Sequence, residues 1–296
     1  METVTAKSTN VQYKSRSLAA ETWRRLRKNK GAVAGMVFIV ILVIATIVSG
    51  FIYDYETDII GQNISERFTP PGLKYPFGTD QVGRNIFTRI IYGARYSLTI
   101  SVGAVAIGLV VGVLFGSIAG FYGGLVDDLI MRVNDVLYAI PNIMIAVVVV
   151  SLFGTSTFNL LLALSINAAT SFARIARASV MTLRGEEYIE ASYAIGLPQW
   201  KIILKHIVPN CLSPIIVQTT LLIGTTIIAA SSLSFLGIGI PAPAPEWGAM
   251  LSEGRDYMRS AGYICVIPGL AIMVTVLALN LLGDGLRDAL DPKLKK

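Results

Sequence analysis

The sequence is poor in charged residues, histidine and cysteine. Of its 296 residues only 15% are Asp, Glu, Lys or Arg and 53% are apolar, whereas a soluble domain typically carries about 25% charged residues. So few charges cannot cover a soluble surface, which excludes a soluble enzyme and a disordered chain. The single histidine, His206, leaves little with which to build a histidine-rich metal site. The two cysteines, Cys211 and Cys265, form neither a disulfide framework nor a zinc motif.

The charges that are present leave five long stretches free of Asp, Glu, Lys and Arg: 31–53, 96–126, 136–173, 207–245 and 260–283. A helix that crosses a bilayer needs about 20 apolar residues. We therefore predict an all-α membrane protein with six transmembrane helices, because a polar break at 154–157 divides the third stretch. The helices are expected near 32–51, 98–121, 136–153, 158–173, 215–236 and 263–282.

The distribution of basic residues predicts the orientation. Residues 1–30 carry eight Lys and Arg against two acids, and basic residues concentrate on the cytoplasmic side of membrane proteins. Both termini are therefore expected in the cytoplasm. We divide the chain into 1–95 (cytoplasmic arm, first helix and external loop), 96–283 (a five-helix core with a cytoplasmic loop at 184–206) and 284–296 (cytoplasmic tail).

The predicted helices contain no ionisable side chain in their central parts. Proton-coupled carriers usually keep such groups at mid-membrane, so this pattern disfavours a secondary transporter. A pathway would have to be lined by neutral polar groups, and for each of these a hydrogen bond between helices is the alternative interpretation. The candidates are Asn142, Asn167, Gln218, Thr219, Ser231 and Asn280.

Glycine recurs at every fourth position of the second predicted helix, from Gly108 to Gly124. Small residues at this spacing lie on one face and allow another backbone to approach closely. We expect a tight helix–helix contact there.

The cytoplasmic loop after the fourth predicted helix contains two short helices. The first is expected from Glu186 to Ile195 and ends at Gly196, and the second begins after Pro198. Tyr188, with Ala191 and Ile195, lies on one side of the first helix. This side could dock into the groove of a partner or rest on the lipid surface.

Part of this loop resembles the EAA loop of ABC-importer permeases. The resemblance rests on Glu190, Ala191 and Ser192, followed at the family's spacing by Gly196 and Pro209. Three positions depart from the family pattern: Ser192, His206 and Val208.

Further fragments, spread over most of the chain, resemble the C-type permease subunit of the oligopeptide/dipeptide/nickel importer family. They are Trp23-Arg24-Arg25-Leu26, Phe77-Gly78-Thr79-Asp80, Gly93-Ala94-Arg95-Tyr96-Ser97-Leu98, Ser234-Phe235-Leu236-Gly237 and Asn280-Leu281-Leu282-Gly283-Asp284.

The resemblance implies the type I importer fold and a place in the cell membrane of a bacterium or archaeon as a multi-pass permease subunit. It implies three kinds of protein partner: a second homologous permease forming a heterodimer, two cytoplasmic ATPase subunits and an extracellular substrate-binding protein. Membrane lipid surrounds the chain, and nucleic acid is not expected. No cofactor is expected in this chain, which contains no Gly-Lys pair and hence no phosphate loop. ATP and Mg²⁺ would be bound by the ATPases.

The implied function is ATP-driven import, most often of dipeptides or oligopeptides. Import of nickel or a metal chelate by the same machinery is one alternative, and a secondary transporter is another of a different class. A membrane protease is a weaker rival, because His206 lies at the cytoplasmic edge of a helix.

Within the loop, the resemblance implies that Glu190 anchors the ATPase and that Tyr188, Ala191 and Ser192 form the contact surface. Gly196 would permit the turn. A solvated carboxylate is the alternative for Glu190.

On the external side, loop 54–95 and segment 246–259 are expected to face the binding protein. The segment is roughly amphipathic, so we expect it to lie flat at the outer surface, as a gate or as an interfacial anchor. Four charged residues of the loop either meet a charged patch on the binding protein or stay hydrated: Asp80, Arg84, Arg89 and Arg95.

Overall fold

The computed structural model describes residues 18–290, and the secondary structure of this range consists almost entirely of helices. Within it, one isolated bridge between Thr79 and Asn85 is formed and no strand. The helices are α1 (Leu18–Leu26), α2 (Lys30–Ile52), α3 (Ile86–Tyr122), α4 (Gly124–Ala139), α5 (Asn142–Phe153), α6 (Thr157–Arg184), α7 (Glu187–Ala194), α8 (Gln199–Ile202), α9 (Leu212–Phe235), α10 (Trp247–Gly254) and α11 (Tyr263–Leu290).

Five segments are long and apolar enough to cross a bilayer: α2, α3, α6, α11 and the segment Gln199–Phe235, which contains α8 and α9. The pair α4 and α5 is apolar enough for a sixth crossing, bent by 89°. The predicted all-α membrane fold is thereby confirmed, with five crossings formed by single segments and the bent pair α4 and α5 at the position of the sixth predicted crossing.

The third predicted helix, near 136–153, is wrong as a single element. The chain breaks at Ile140 and Pro141, and α4 begins as early as Gly124. Proline has no backbone N–H and disfavours a helical conformation of the residue before it. The break therefore follows from Pro141.

The second predicted helix is longer than expected, because α3 begins at Ile86 rather than near residue 98. The Asn85 side chain caps its first turn by accepting a hydrogen bond from the backbone of Phe87. Arg89 and Arg95 do not end the helix. Arg89 is paired with Asp80, and the guanidinium of Arg95 lies 3.7 Å from the centre of the Tyr92 ring.

The predicted glycine contact joins α3 to α6. A Cβ atom at Gly112 would overlap the carbonyl oxygen of Ala169, and at Gly116 it would overlap the backbone of Ala173. Gly108 and Gly120 face α6 in the same way. Gly124 does not belong to this contact: it has open space around it and a φ of 54°, so it serves the turn into α4.

The two described ends of the chain lie beside each other. α1 packs on α11, where Leu26 and Ala32 form an apolar cluster with Ala289. This agrees with the prediction that both ends are on one side of the membrane.

Candidate functional site

The loop between α6 and α9 packs against the ends of α3 and α6. α6 ends at Arg184, and Glu186 precedes the first turn of α7. The side chain of Ile189 is completely buried against Ile202 and Ile207, in a cluster that also includes Phe121 of α3. This cluster fixes α7 to the cytoplasmic ends of α3 and α6.

The opposite face of α7 is exposed. Tyr188, Glu190 and Ala191 all face outward, and the side chain of Ile195 is 75% exposed. Ser192 was expected on the same surface, and that expectation is wrong: it is buried, and its hydroxyl donates to the carbonyl of Tyr188. Ser192 lies three positions after the buried Ile189, so the two side chains share the inward side of the helix.

Gly196 ends this helix as predicted. Its φ of 75° lies in the left-handed region, where residues with a Cβ are strained. Its backbone N–H donates to the carbonyl of Tyr193, and that of Leu197 donates to the carbonyl of Ser192. The space around Gly196 is open, so its conformation rather than its size is what this turn requires.

The chain after this turn adds to the exposed surface. α8 begins at Gln199 and leads into α9 without a sharp bend, because Pro209 and Pro214 occupy first-turn positions where no N–H is needed. Trp200 and Leu204 are exposed beside α7. We call the outward side chains of Tyr188, Glu190, Ala191, Ile195, Trp200 and Leu204 the loop surface.

Tyr188 is a neutral group of the loop surface. Partial burial and the nearby charge of Glu186 raise the pKa of its hydroxyl. Asn210 donates to this hydroxyl at 3.5 Å, which ties α7 to the start of α9. The loop surface therefore combines one acid, Glu190, with aromatic and aliphatic side chains.

At the other end of α3, four charged side chains form an internal cluster. Asp80 accepts from Arg84 Nε and from Arg89 Nη1, both at 2.6 Å. Glu253 Oε2 lies 2.5 Å from Arg84 Nη2 and 3.2 Å from Arg89 Nη1. The side chain of Arg89 is only 1% exposed. We call these four residues the outer ion cluster; its formal charges cancel.

The outer ion cluster corrects the expectation for the external charges. Asp80, Arg84 and Arg89 neither stay hydrated nor remain free to meet a binding protein, because they are buried and paired with one another and with Glu253. Arg95 is half-buried over Tyr92 and donates to the carbonyl of Thr46.

The first part of segment 246–259 is also not a surface helix, whereas residues 255–259 are mostly exposed. Trp247 is fully buried and donates its indole N–H to the carbonyl of Ile90 at 3.0 Å. Glu246 is fully buried too: it caps α10 by accepting from the N–H of Ala249 and accepts from the hydroxyl of Ser97. α10 therefore packs inside the outer end of the bundle.

The sequence contained no local signal for the ion pairs of Glu253 or for the contact between Glu246 and Ser97. Both pair with residues more than 140 positions away in the chain, so only the fold brings the partners together. An acidic residue at the expected start of a short helix was the one available indication for Glu246.

The predicted pathway residues are distributed over four helices. Asn142 is exposed at the start of α5, Asn167 is half-buried on α6, and Gln218 and Thr219 are half-buried on α9. The Thr219 hydroxyl donates to the carbonyl of Ile215 within its own helix. The other two pathway candidates are Asn280 and Ser231.

Asn280 is half-buried on α11 beside Gly224 of α9. Ser231 is buried against Gly248 of α10, and its hydroxyl has no partner among the described residues. The pathway role of the six candidates stays a prediction.

Within residues 18–290, no group of three or more His, Cys, Asp or Glu side chains is placed to hold a metal ion. His206 is half-buried, and its carbonyl accepts from Asn210.

Two protein families match the chain. One, described as the binding-protein-dependent transport system inner membrane component, matches residues 112–296. The other, described as the N-terminal TM domain of oligopeptide transport permease C, matches residues 17–71. The first match includes α7 and the whole loop surface.

Similar proteins include bacterial permeases. The chain is 45% identical to the dipeptide transport system permease protein DppC of Alkalihalophilus pseudofirmus, over 96% of this chain and 93% of that protein. It is also 45% identical to the glutathione transport system permease protein GsiD of Escherichia coli, over 93% of this chain and 90% of that protein.

Two solved structures of the MetNI methionine ABC transporter, in inward-facing conformations, share the fold. One aligns with a TM-score of 0.57 at 17% identity, over 70% of this chain and 98% of that chain. The other aligns with a TM-score of 0.55 at 19% identity, over 69% and 96% of the two chains.

Proposed function

Because the chain belongs to the family of binding-protein-dependent transport inner membrane components, we propose that this ABC-importer permease subunit forms half of a pathway for dipeptides or oligopeptides. Membership makes it a multi-pass subunit of the cell membrane and a transporter component rather than an enzyme. The names of two relatives support a peptide-type substrate, since glutathione is itself a small peptide. Nickel or a metal chelate is the alternative cargo.

In this proposal the chain works with three kinds of partner. A second, homologous permease completes the pathway as a heterodimer, an extracellular binding protein delivers the substrate, and two cytoplasmic ATPases bind ATP and Mg²⁺. ATP binding and hydrolysis by the ATPases drive transport by biasing an equilibrium between two orientations of the helices.

The observation that carries the proposed coupling is the loop surface on α7 and α8. It exposes large apolar side chains beside Glu190, and α7 lies outside the segments that are long and apolar enough to cross a bilayer, while α8 begins the segment Gln199–Phe235. Exposed apolar groups of this kind mark interaction sites. Glu190 supplies a charged anchor, and Tyr188 and Ala191 supply the adjoining contact. Gly196 sets the angle between the helices, and Ser192 supports the surface from inside.

The test is uptake by the assembled importer in vesicles, with Glu190→Arg as the variant. We expect unchanged amounts of protein in the membrane and at least a tenfold loss of ATP-driven uptake. The reason is that the substitution places a positive charge where Glu190 contacts the ATPase. Asp284→Arg, an exposed acid of α11 outside the loop, is the matched control and should retain uptake. Normal uptake by Glu190→Arg would refute the role of the loop surface.

The cargo is tested in the same vesicles with a labelled dipeptide, labelled glutathione and nickel. Saturable, ATP-dependent uptake of a peptide that excess nickel does not compete with supports the proposal. Uptake of nickel alone would replace it with the alternative.

A further inference from the structure

An apolar cavity of about 440 Å³ lies between α3, α4 and α6. Val111 and Phe115 line it from α3, Leu129 from α4, and Ile166 and Ala169 from α6. Its size falls within the range of roughly 300–1,000 Å³ typical of ligand pockets. We call it the α4 crevice.

The crevice is open because α4 is attached by charges rather than by apolar packing. Arg177 binds Asp127 through two hydrogen bonds of 2.5 and 2.6 Å, and Arg174 binds Asp135 at 2.8 Å. α3 and α6 meet tightly at Gly112 and form the floor. The ion pairs thus hold α4 beside this floor without filling the space above it.

One polar side chain in the crevice is unpartnered. Asn134 lines it and is only 6% exposed, and its amide nitrogen has no acceptor among the described residues. A buried donor left without an acceptor is costly. Thr170 also lines the crevice, but its hydroxyl donates to the carbonyl of Asn167. The site therefore requires an apolar ligand with one hydrogen-bond acceptor.

We propose that the α4 crevice binds an acyl chain of a membrane phospholipid, whose ester carbonyl accepts a hydrogen bond from Asn134. A phospholipid has this combination, since its ester groups lie directly between the hydrocarbon chains and the charged headgroup. Asn134 has the matching position, next to the Asp135–Arg174 ion pair and among lining residues that are apolar except for Thr170, whose hydroxyl is already paired. Leu129 and Val133 are exposed at the rim, so the crevice opens toward the surroundings of the bundle.

The test is photo-crosslinking in the assembled importer, in vesicles of phosphatidylethanolamine and phosphatidylglycerol. A trace of phosphatidylcholine with a diazirine near the end of one acyl chain is the probe, and labelled peptides are identified by mass spectrometry. We expect labelling within 111–115 and 166–173, on the floor of the crevice.

Two variants test whether the labelling depends on the α4 crevice. Asn134→Leu removes the donor and should lower labelling of the floor about fivefold, which corresponds to one hydrogen bond of average strength. Ala169→Leu fills the crevice and should abolish labelling. Ala139→Leu, an exposed alanine of α4 outside the crevice, is the matched control and should label as the wild type does.

Two results would overturn the proposal. Equal labelling of the floor in the wild type and both crevice variants would indicate unspecific contact with surrounding lipid. Absence of floor labelling, with normal labelling elsewhere on the chain, would indicate that a protein partner covers the crevice.

Discussion

Glu253→Gln is the sharpest test of the outer ion cluster. The substitution keeps the shape of the side chain and one oxygen acceptor but removes its charge. Arg84 and Arg89 are then left with a single buried carboxylate, that of Asp80. The cluster changes from neutral to a net charge of +1 in an interior where Arg89 has almost no access to water.

The structure sets the expected magnitude. Removing one partner of a buried ion pair costs about 3–5 kcal/mol. Glu253 is 17% exposed, so water reaches part of the altered site and the lower end of this range applies. A loss of about 3 kcal/mol corresponds to a fall in melting temperature of roughly 6–12 °C for a soluble domain of about 150–250 residues, and for this chain of 296 residues we expect the lower end of that range.

The two free cysteines provide the assay. Cys211 and Cys265 are both buried, so a fluorogenic thiol reagent reports their exposure as the protein in mild detergent is heated. Asp256→Asn is the matched control, because its contact with Arg255 is long, at 3.5 Å, and both side chains are more than half exposed. An exposed pair of this kind contributes about 0–1 kcal/mol.

A melting temperature of Glu253→Gln no lower than that of Asp256→Asn would refute the argument that the cluster stabilises the outer end. A double variant sharpens the result. Adding Arg84→Gln restores neutrality, so the combined loss should be smaller than the sum of the two single losses by at least about 1 kcal/mol.

Two glycine substitutions test the remaining structural claims with the same assay. Gly112→Ala should destabilise the protein by about 1–3 kcal/mol, because its Cβ meets the carbonyl of Ala169 and the helices must separate. Gly103→Ala should cost less, since the nearest atom is a leucine methyl that can rotate away; equal losses would contradict the packing argument. Gly196→Ala should cost about 1–2 kcal/mol through its positive φ alone. Gly185→Ala, at a φ of −87° with open space around it, should cost nothing; a neutral Gly196→Ala would contradict the role of the turn.

Much of the fold could be predicted because bilayer-crossing helices depend on local composition. Long stretches without charge located the five single-segment crossings, and the glycine spacing identified the α3 face that packs on α6. The two short helices and the Gly196 turn of the cytoplasmic loop also followed from local rules for helix ends.

The failures on the external side share one physical cause, which is charge compensation at long range. Arg89 was expected outside the helix because a lone charge is costly in the membrane. Its partner Glu253 lies 164 residues further along the chain, and no local sequence pattern predicts such a pair. The distant partners of Trp247 and Glu246 could not be predicted from the sequence either. Segment 246–259 was therefore expected on the outer surface, although these two side chains are fully buried.

α3 connects the cytoplasmic end of the bundle, where it contacts α7, to the outer end, where it contributes to the outer ion cluster. Its cytoplasmic end contributes Phe121 to the cluster that holds α7, and its glycine face is locked to α6. Its outer end carries Arg89, which is ion-paired with Glu253 of α10, and Ile90, whose carbonyl accepts from Trp247. Each of these contacts involves close-packed or charge-paired groups that resist deformation. A displacement of α7 is therefore expected to move α3 and α6 as one body and to reach α10 through the outer ion cluster, so that the cluster matters for transport as well as for stability.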